Sequence, residues 1–197
     1  MGDSFVSRKD RIIASAIEII SDSGLSALTT RNLALKENMS EALLYKYFGG
    51  INEVLIEVVD YYSRFDNSIR NTVKSKEGCY MDKLIDYLEA YATYYDNYYA
   101  ISTLMLQYEE LLHNMDTREK IAWCITERLG FMEEIFAGAI DSKEITDKFT
   151  PVELANNVTG IAMAYILGRR ITYHKKTFKQ EYMEYILKWI EMLKKVD

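Results

Sequence analysis

Residues 29–48, TTRNLALKENMSEALLYKYF, place two short helical patterns on either side of Asn38, Met39 and Ser40, with an aromatic cluster at the end. A helix-turn-helix needs a small residue where its helices meet, a turn of three or four residues, and apolar positions that pin the second helix at a steep angle. Leu33 with Ala34, then Met39, then Leu44 with Phe48 fill those places. Thr29 or Thr30 can cap the first helix and Ser40 the second, and free N–H groups at a helix N-terminus suit a phosphate oxygen. Glu41, Ala42 and Lys46 then fall on the outer face of the second helix, where a side chain that reads a DNA groove sits.

Outward from this stretch, apolar residues recur at spacings of three and four, proline occurs once, and no strand pattern appears, so the fold class is all-α, with about nine helices. The first helix is expected from Arg8 to Asp22, capped by Ser7, ended by Gly24, and buried through Ile12, Ile13, Ala16, Ile17 and Ile20. A long helix is expected from Ile51 to Ser75, its inner face made by Leu55, Val58, Val59, Tyr62, Phe65, Ile69 and Val73. Further helices are expected over Cys79–Asn97, Ile101–Asn114 and Asp116–Ala139, the last with Asp116 and Glu119 at capping-box spacing. TPVE, Thr150 to Glu153, combines cap, Pro at the first helical position and Glu at the third, and opens a helix to about Tyr173. A last helix is expected from Glu181 to Lys195.

The chain has 197 residues, 49% of them hydrophobic, enough for one ordinary core or for a small domain beside a larger one. The apolar run Gly160–Gly168 is far shorter than the roughly 20 residues that span a membrane, and MGDSFVSRKD lacks an apolar signal core, so a cytosolic protein is expected. Cys79 and Cys124 are widely separated and read as reduced thiols. Glu110 and His113 form an ExxH pair, but His174 has no acid three residues before it, so no di-iron site is expected. With two histidines and two cysteines, zinc is not expected either, and no cofactor is implied. No phosphate-binding glycine loop and no nucleophile with a histidine partner is present. Net charge is −6, against general coating of nucleic acid, yet residues 1–50 carry six basic and six acidic groups and are neutral. Anion binding must rest on placed groups.

From Arg11 to Leu55 the chain resembles the N-terminal domain of the TetR family of bacterial transcriptional repressors. The elements that carry the resemblance are RIIASAIEII (11–20), Gly24, Thr29 with Thr30, Leu33 with Ala34, Ser40, and LYKYF (44–48). The resemblance implies a helix-turn-helix DNA-binding domain over residues 1–50 joined to a helical effector-binding and dimerisation domain over 51–197. It implies phosphate contacts from Thr30, Ser40, Tyr45 and Tyr47, and base or phosphate contacts from Arg31, Glu41, Ala42 and Lys46, with Thr29 beside them. Chemically, Arg31 can fork onto guanine, Glu41 can accept from a cytosine amino group, and the Ala42 methyl can meet a thymine methyl. At least one of the tyrosines is equally suited to packing the small domain. Two positions depart from the pattern. Asn38 stands where the turn usually has glycine, and it tolerates a left-handed backbone. Ile51 stands where a lysine commonly holds phosphate, which leaves either weaker DNA binding or reliance on the backbone N–H groups of Gly49 and Gly50. Each lost phosphate contact lowers the salt slope by about 0.9.

One such domain reads few base pairs, so a homodimer on a palindromic operator is expected, its recognition helices about 34–36 Å apart. The last two helices are the candidate interface, through Gly160, Ala164, Gly168, Tyr182, Tyr185, Trp189 and Leu193; the other reading is that these pack within one chain. Between the two regions lies YLEAYATYYDNYYA (87–100), whose tyrosines must partly face inward. A cavity for a small apolar or aromatic effector would use Tyr91, Tyr94, Tyr95 and Tyr98, with Met105, Tyr108, Met132 and Phe136 as neighbours. A tyrosine-rich core with some exposed rings fits the same residues. The function expected is a ligand-responsive transcriptional regulator, a repressor released from its operator by the effector. Two alternatives remain: a regulator of the same fold acting through protein partners, and an enzyme using the tyrosine-rich cavity.

Overall fold

The structure is a computed structural model that describes residues 7–194; the first six residues of MGDSFVSRKD, and Lys195, the expected end of the last helix, lie outside the described residues. Its helices are α1 Arg8–Ser23, α2 Thr30–Lys36, α3 Glu41–Leu44, α4 Ile51–Ser63, α5 Asp66–Ser75, α6 Tyr80–Asn97, α7 Tyr99–Ser102, α8 Tyr108–His113, α9 Arg118–Asp141, α10 Pro151–Ile171 and α11 Phe178–Leu193. Nine of these have six or more residues, and α3 and α7 are single turns of four. Among the described residues there is no β-strand, only an isolated bridge between Ile145 and Lys194. The described residues divide into two compact units, 7–64 with 100–122, and 65–99 with 123–194.

In the first unit α1 packs against α2 and α4, and α2 against α3. Ser7 caps α1 by accepting from the Asp10 N–H, and Gly24 ends it at φ 84°, a left-handed position that favours glycine. Ile12, Ile13, Ala16, Ile17 and Ile20 are buried along its inner face. Each isoleucine buried this way contributes roughly 1.5–3 kcal/mol. Leu33, Ala34, Leu44, Phe48, Val54, Leu55, Val58, Val59 and Tyr62 are buried with them, as are Ile101, Leu104, Leu111 and Ile121.

In the second unit α6 packs against α5 and α11, and α10 against α11. Thr150 and Glu153 form the expected capping box on α10, with Pro151 at its start. The unit also has a cap supplied from a distance: Glu144 accepts from the Tyr80 and Met81 N–H groups at 3.0 and 2.9 Å, holding the open end of α6. Burial pushes the Glu144 carboxyl up, but these bonds outweigh burial and leave it below the ordinary carboxylate value.

Four expected helices differ in the structure. The helix expected from Ile51 to Ser75 is two helices, α4 and α5, separated at Arg64 and Phe65. Past the break the inward face changes register: Asp66, Arg70 and Val73 are buried, whereas Phe65 is 42% exposed. The cause is a buried ion pair, described below, that draws Asp66 inward. The helix expected over Ile101–Asn114 is α7, a 3₁₀ segment Thr103–Gln107, and α8. At the start of the 3₁₀ segment the Thr103 hydroxyl donates to the Ala100 carbonyl at 2.7 Å, a side-chain bond that competes with the regular ladder. The helix expected from Asp116 begins at Arg118, after a turn in which Asn114 Oδ1 accepts from the Asp116 N–H. At the C-terminus α11 begins at Phe178, earlier than Glu181, because Thr177 and Gln180 form a capping box.

Candidate functional site

In the first unit the turn between α2 and α3 is built by local chemistry. Thr29 Oγ1 accepts from the Asn32 N–H at 3.1 Å and Ser40 Oγ from the Leu43 N–H at 3.2 Å, so both helices start where their caps dictate. Asn38 takes φ 51°, the left-handed turn position expected of it. The Met39 N–H donates to the Ala34 carbonyl at 2.9 Å and closes the turn. After α3 the chain stays in tight turns, with Lys46 and Tyr47 donating to the carbonyls three residues earlier, and Phe48 is buried beneath.

This geometry brings the nine expected DNA-facing residues into one short segment. Thr29, Arg31, Ser40, Glu41, Ala42, Tyr45 and Lys46 are exposed, and Thr30 and Tyr47 are half-buried. Tyr47 is therefore the more inward of the two tyrosines. The Thr30 hydroxyl donates to Glu41 at 2.7 Å, tying the start of α2 to the start of α3. Most nearby cations are neutralised: Lys9 by Glu57, Arg11 by Glu37 and Lys36 by Glu18. Arg31 and Lys46 have no carboxylate within ion-pairing distance among the described residues. Ile51 opens α4 as expected from the sequence, and the Gly49 N–H is already taken by the Glu53 carboxylate. Of the two backbone groups considered as substitutes for the missing lysine, one is therefore occupied.

The tyrosine-rich helix α6 lies in the second unit. Tyr91, Tyr94 and Tyr95 are buried, and Tyr95 meets both others, its centroid 6.1 Å from that of Tyr91 and 5.9 Å from that of Tyr94. Met132 and Phe136 of α9 are buried in the same unit, whereas Tyr98 is 52% exposed. Met105 and Tyr108 belong to the first unit, where the Tyr108 hydroxyl meets that of Tyr62.

Sequence reading did not find the charged centre of this unit. Arg128 of α9 donates to both carboxylate oxygens of Asp66, each at 2.8 Å, and to the Tyr95 hydroxyl at 3.1 Å, with its guanidinium 4.8 Å from the Tyr91 ring centre. The buried Cys124 thiol lies 3.4 Å from Asp66 Oδ2, and burial pushes it up to about 12, so it stays protonated. Arg70 donates to Asn67 at 2.6 Å and has Glu127 at 3.5 Å. The only sequence signal was the inward spacing of Asp66, Arg70 and Val73, which a hydrophobic pattern scores as polar and passes over.

Of the seven expected interface residues, Tyr182 and Leu193 are buried within the unit, and Trp189 is half-buried with its ring on Phe136. Gly160, Ala164 and Tyr185 are exposed and Gly168 is half-buried. Leu167 and Ile171, 50% and 74% exposed, continue the row of Gly160 and Ala164 along α10 at spacings of three and four. The same spacing in the sequence could have found them. An open groove of about 430 Å³ lies at α10 and α11, lined in part by Tyr165, Tyr185, His174 and Lys188.

A capped helix pair with exposed Arg31 and Lys46, carried on an all-helical chain, defines a helix-turn-helix DNA-binding regulator. Residues 12–58 match the family described as bacterial regulatory proteins, tetR family. Residues 12–58 thus form a TetR-family DNA-binding domain within the first unit. The fold of the whole chain is shared with solved transcriptional regulators. The ketosteroid transcriptional regulator KstR2 of Mycobacterium tuberculosis superposes with a TM-score of 0.86 at 13% identity, covering 98% of each chain. The TetR family regulator PfmR from Thermus thermophilus gives 0.75 at 18% identity, over 89% of this chain and 94% of that one. The regulator FadR from Bacillus subtilis in complex with stearoyl-CoA gives 0.68 at 18% identity, over 88% and 95%. No curated protein matches the chain significantly.

Proposed function

We propose that this chain is a homodimeric repressor that binds a palindromic operator and releases it when a small effector occupies the second unit. Residues 1–50 read DNA and residues 51–197 bind effector and dimerise. The observation that carries this reading is the Thr29–Phe48 segment, where seven of nine candidate contact residues are exposed together and two of them, Arg31 and Lys46, are cations with no internal counter-charge among the described residues. Arg31 supplies base discrimination and Lys46 a phosphate contact, while Tyr45, 54% exposed, supplies a hydroxyl to the backbone.

Dimerisation is supported by the row Gly160, Ala164, Leu167 and Ile171. Among the described residues no atom beyond its own helix backbone and chain neighbours lies within 4 Å of a Cβ placed on Gly160, so another helix can approach closely there. Exposed apolar residues in a continuous row are what an interface buries. FadR's complex with stearoyl-CoA shows that a protein of this fold holds an amphipathic ligand. In this chain the buried tyrosines of α6 supply the wall for such a molecule, and Asp66, joined to Tyr95 through Arg128, follows the end of α4 by only three residues. A ligand that disturbs the Asp66–Arg128 pair acts on the chain just beyond α4, and a preference of tenfold for the released state supplies about 1.4 kcal/mol per site. Catalysis is not part of this reading, and the protein acts in the cytosol, where DNA is; among the described residues no helix is long and apolar enough to cross a membrane.

Fluorescence anisotropy on a selected duplex tests the reading. Arg31→Ala should relax sequence preference, and Tyr45→Phe should weaken all sequences alike. Equal binding of every duplex by the wild-type protein and both variants contradicts it.

A further inference from the structure

The interior of the second unit contains buried donors without acceptors. Asp66 and Arg128 neutralise one another through two bonds of 2.8 Å. Arg70, only 8% exposed, has as its counter-charge Glu127, which lies 3.5 Å away with its side chain 43% exposed. Arg70 Nη1, the Tyr87 hydroxyl and the Tyr91 hydroxyl are buried without any hydrogen-bond partner. Tyr87 is 2% and Tyr91 8% exposed, and their rings stand 5.0 Å apart on neighbouring turns of α6. Tyr91 approaches the Tyr87 hydroxyl, but not in hydrogen-bonding geometry. Arg128 lies over the Tyr91 ring at 4.8 Å, and the charges of Arg128 and Arg70 both act on Tyr87.

A buried donor left unpaired costs about 1–3 kcal/mol, and more where the group is charged. Three such groups in one cluster, beside an arginine whose counter-charge is on the rim, make a place that an anionic acceptor completes. Burial drives both phenols far above their ordinary value, only partly opposed by Arg128, so both remain neutral O–H donors.

We propose that Arg70, Tyr87 and Tyr91 bind the carboxylate of the effector, and that this chain therefore responds to organic acids and not to the corresponding alcohols or amines. The inference rests on the ligand-responsive reading above and adds the chemical class. The carboxylate accepts from the two phenols and from Arg70 Nη1, balancing the Arg70 charge, while aromatic rings such as Phe131, 4.8 Å from Tyr87, meet its apolar body.

The test uses the full chain with octanoic, dodecanoic and 4-phenylbutyric acids, each beside its alcohol and its amine, read by thermal shift and by operator binding. Acids should raise Tm and the other two series should not. Tyr87→Phe and Tyr91→Phe remove hydroxyls that have no partner, so both variants should fold, and each should weaken acid binding about tenfold, the loss expected for one hydrogen bond to a charged group. Arg70→Gln should weaken it at least as much. Stabilisation by no acid, equal stabilisation by alcohols or amines, or undiminished acid binding by both phenylalanine variants overturns the proposal. Operator release by an alcohol or amine overturns it while leaving the ligand-responsive reading intact. Acid binding at the cluster with unchanged operator affinity does the reverse.

Discussion

Replacing Asp66 by alanine should be among the most damaging single changes in the second unit. The Asp66 side chain is 3% exposed and that of Arg128 10% exposed, and two charge-assisted bonds of 2.8 Å join them. At roughly 1.5–3 kcal/mol for each bond to a charged group, removing the carboxylate forfeits about 3–6 kcal/mol. That agrees with the roughly 3–5 kcal/mol lost when one member of a buried pair is removed and the other charge remains. Replacing both members together, Asp66→Leu with Arg128→Met, removes the stranded charge and should cost far less than Asp66→Ala alone. Urea unfolding followed by far-UV circular dichroism measures both, with an unchanged slope as the sign that stability and not compactness has moved. A cost below about 1 kcal/mol for Asp66→Ala, or a double variant as unstable as the two single losses added, would refute the reasoning that the pair is a buried, coupled unit.

Lys46→Ala should weaken binding to all duplexes and flatten the dependence of log K on log salt by about 0.9, and Ile51→Lys should steepen it by a similar amount, both read by anisotropy titrations across salt concentrations. Glu144→Gln should cost about 1 kcal/mol, as the loss of a helix cap does. Because the folded carboxyl lies below its ordinary 4.5, this stabilisation is complete above that pH and disappears as pH falls through the lower folded value, so wild type and variant should converge in acid denaturation curves. Gly138→Ala places a Cβ 2.3 Å from a Tyr80 ring atom and should destabilise by about 1–3 kcal/mol instead of gaining helix propensity; Tyr80→Ala in the same chain should restore the gain, measured by urea unfolding.

Local signals were the readable part of this sequence. Ser7, Thr29, Ser40 and Thr150 cap the helices assigned to them because a cap is decided within three residues. Asn38 was readable for the same reason, as a single backbone position. The helix-turn-helix segment is built almost wholly from such short-range features, so its exposed face could be traced before the structure. The interior of the second unit depends on distant pairing: Asp66 and Arg128 are 62 residues apart, and each alone reads as a solvated charge. That pairing moves the inward face from Phe65 and Ile69 to Asp66 and Arg70, which periodicity could not anticipate. The capping of α6 by Glu144 is another such case, supplied from 63 and 64 residues away.

Selection from a random duplex pool at low salt addresses the central claim most directly. The account predicts enrichment of a palindrome with half-sites about one helical turn apart, with preference at the guanine positions lost in Arg31→Ala. A wild-type pool that emerges unenriched would contradict it and favour a regulator acting through protein partners.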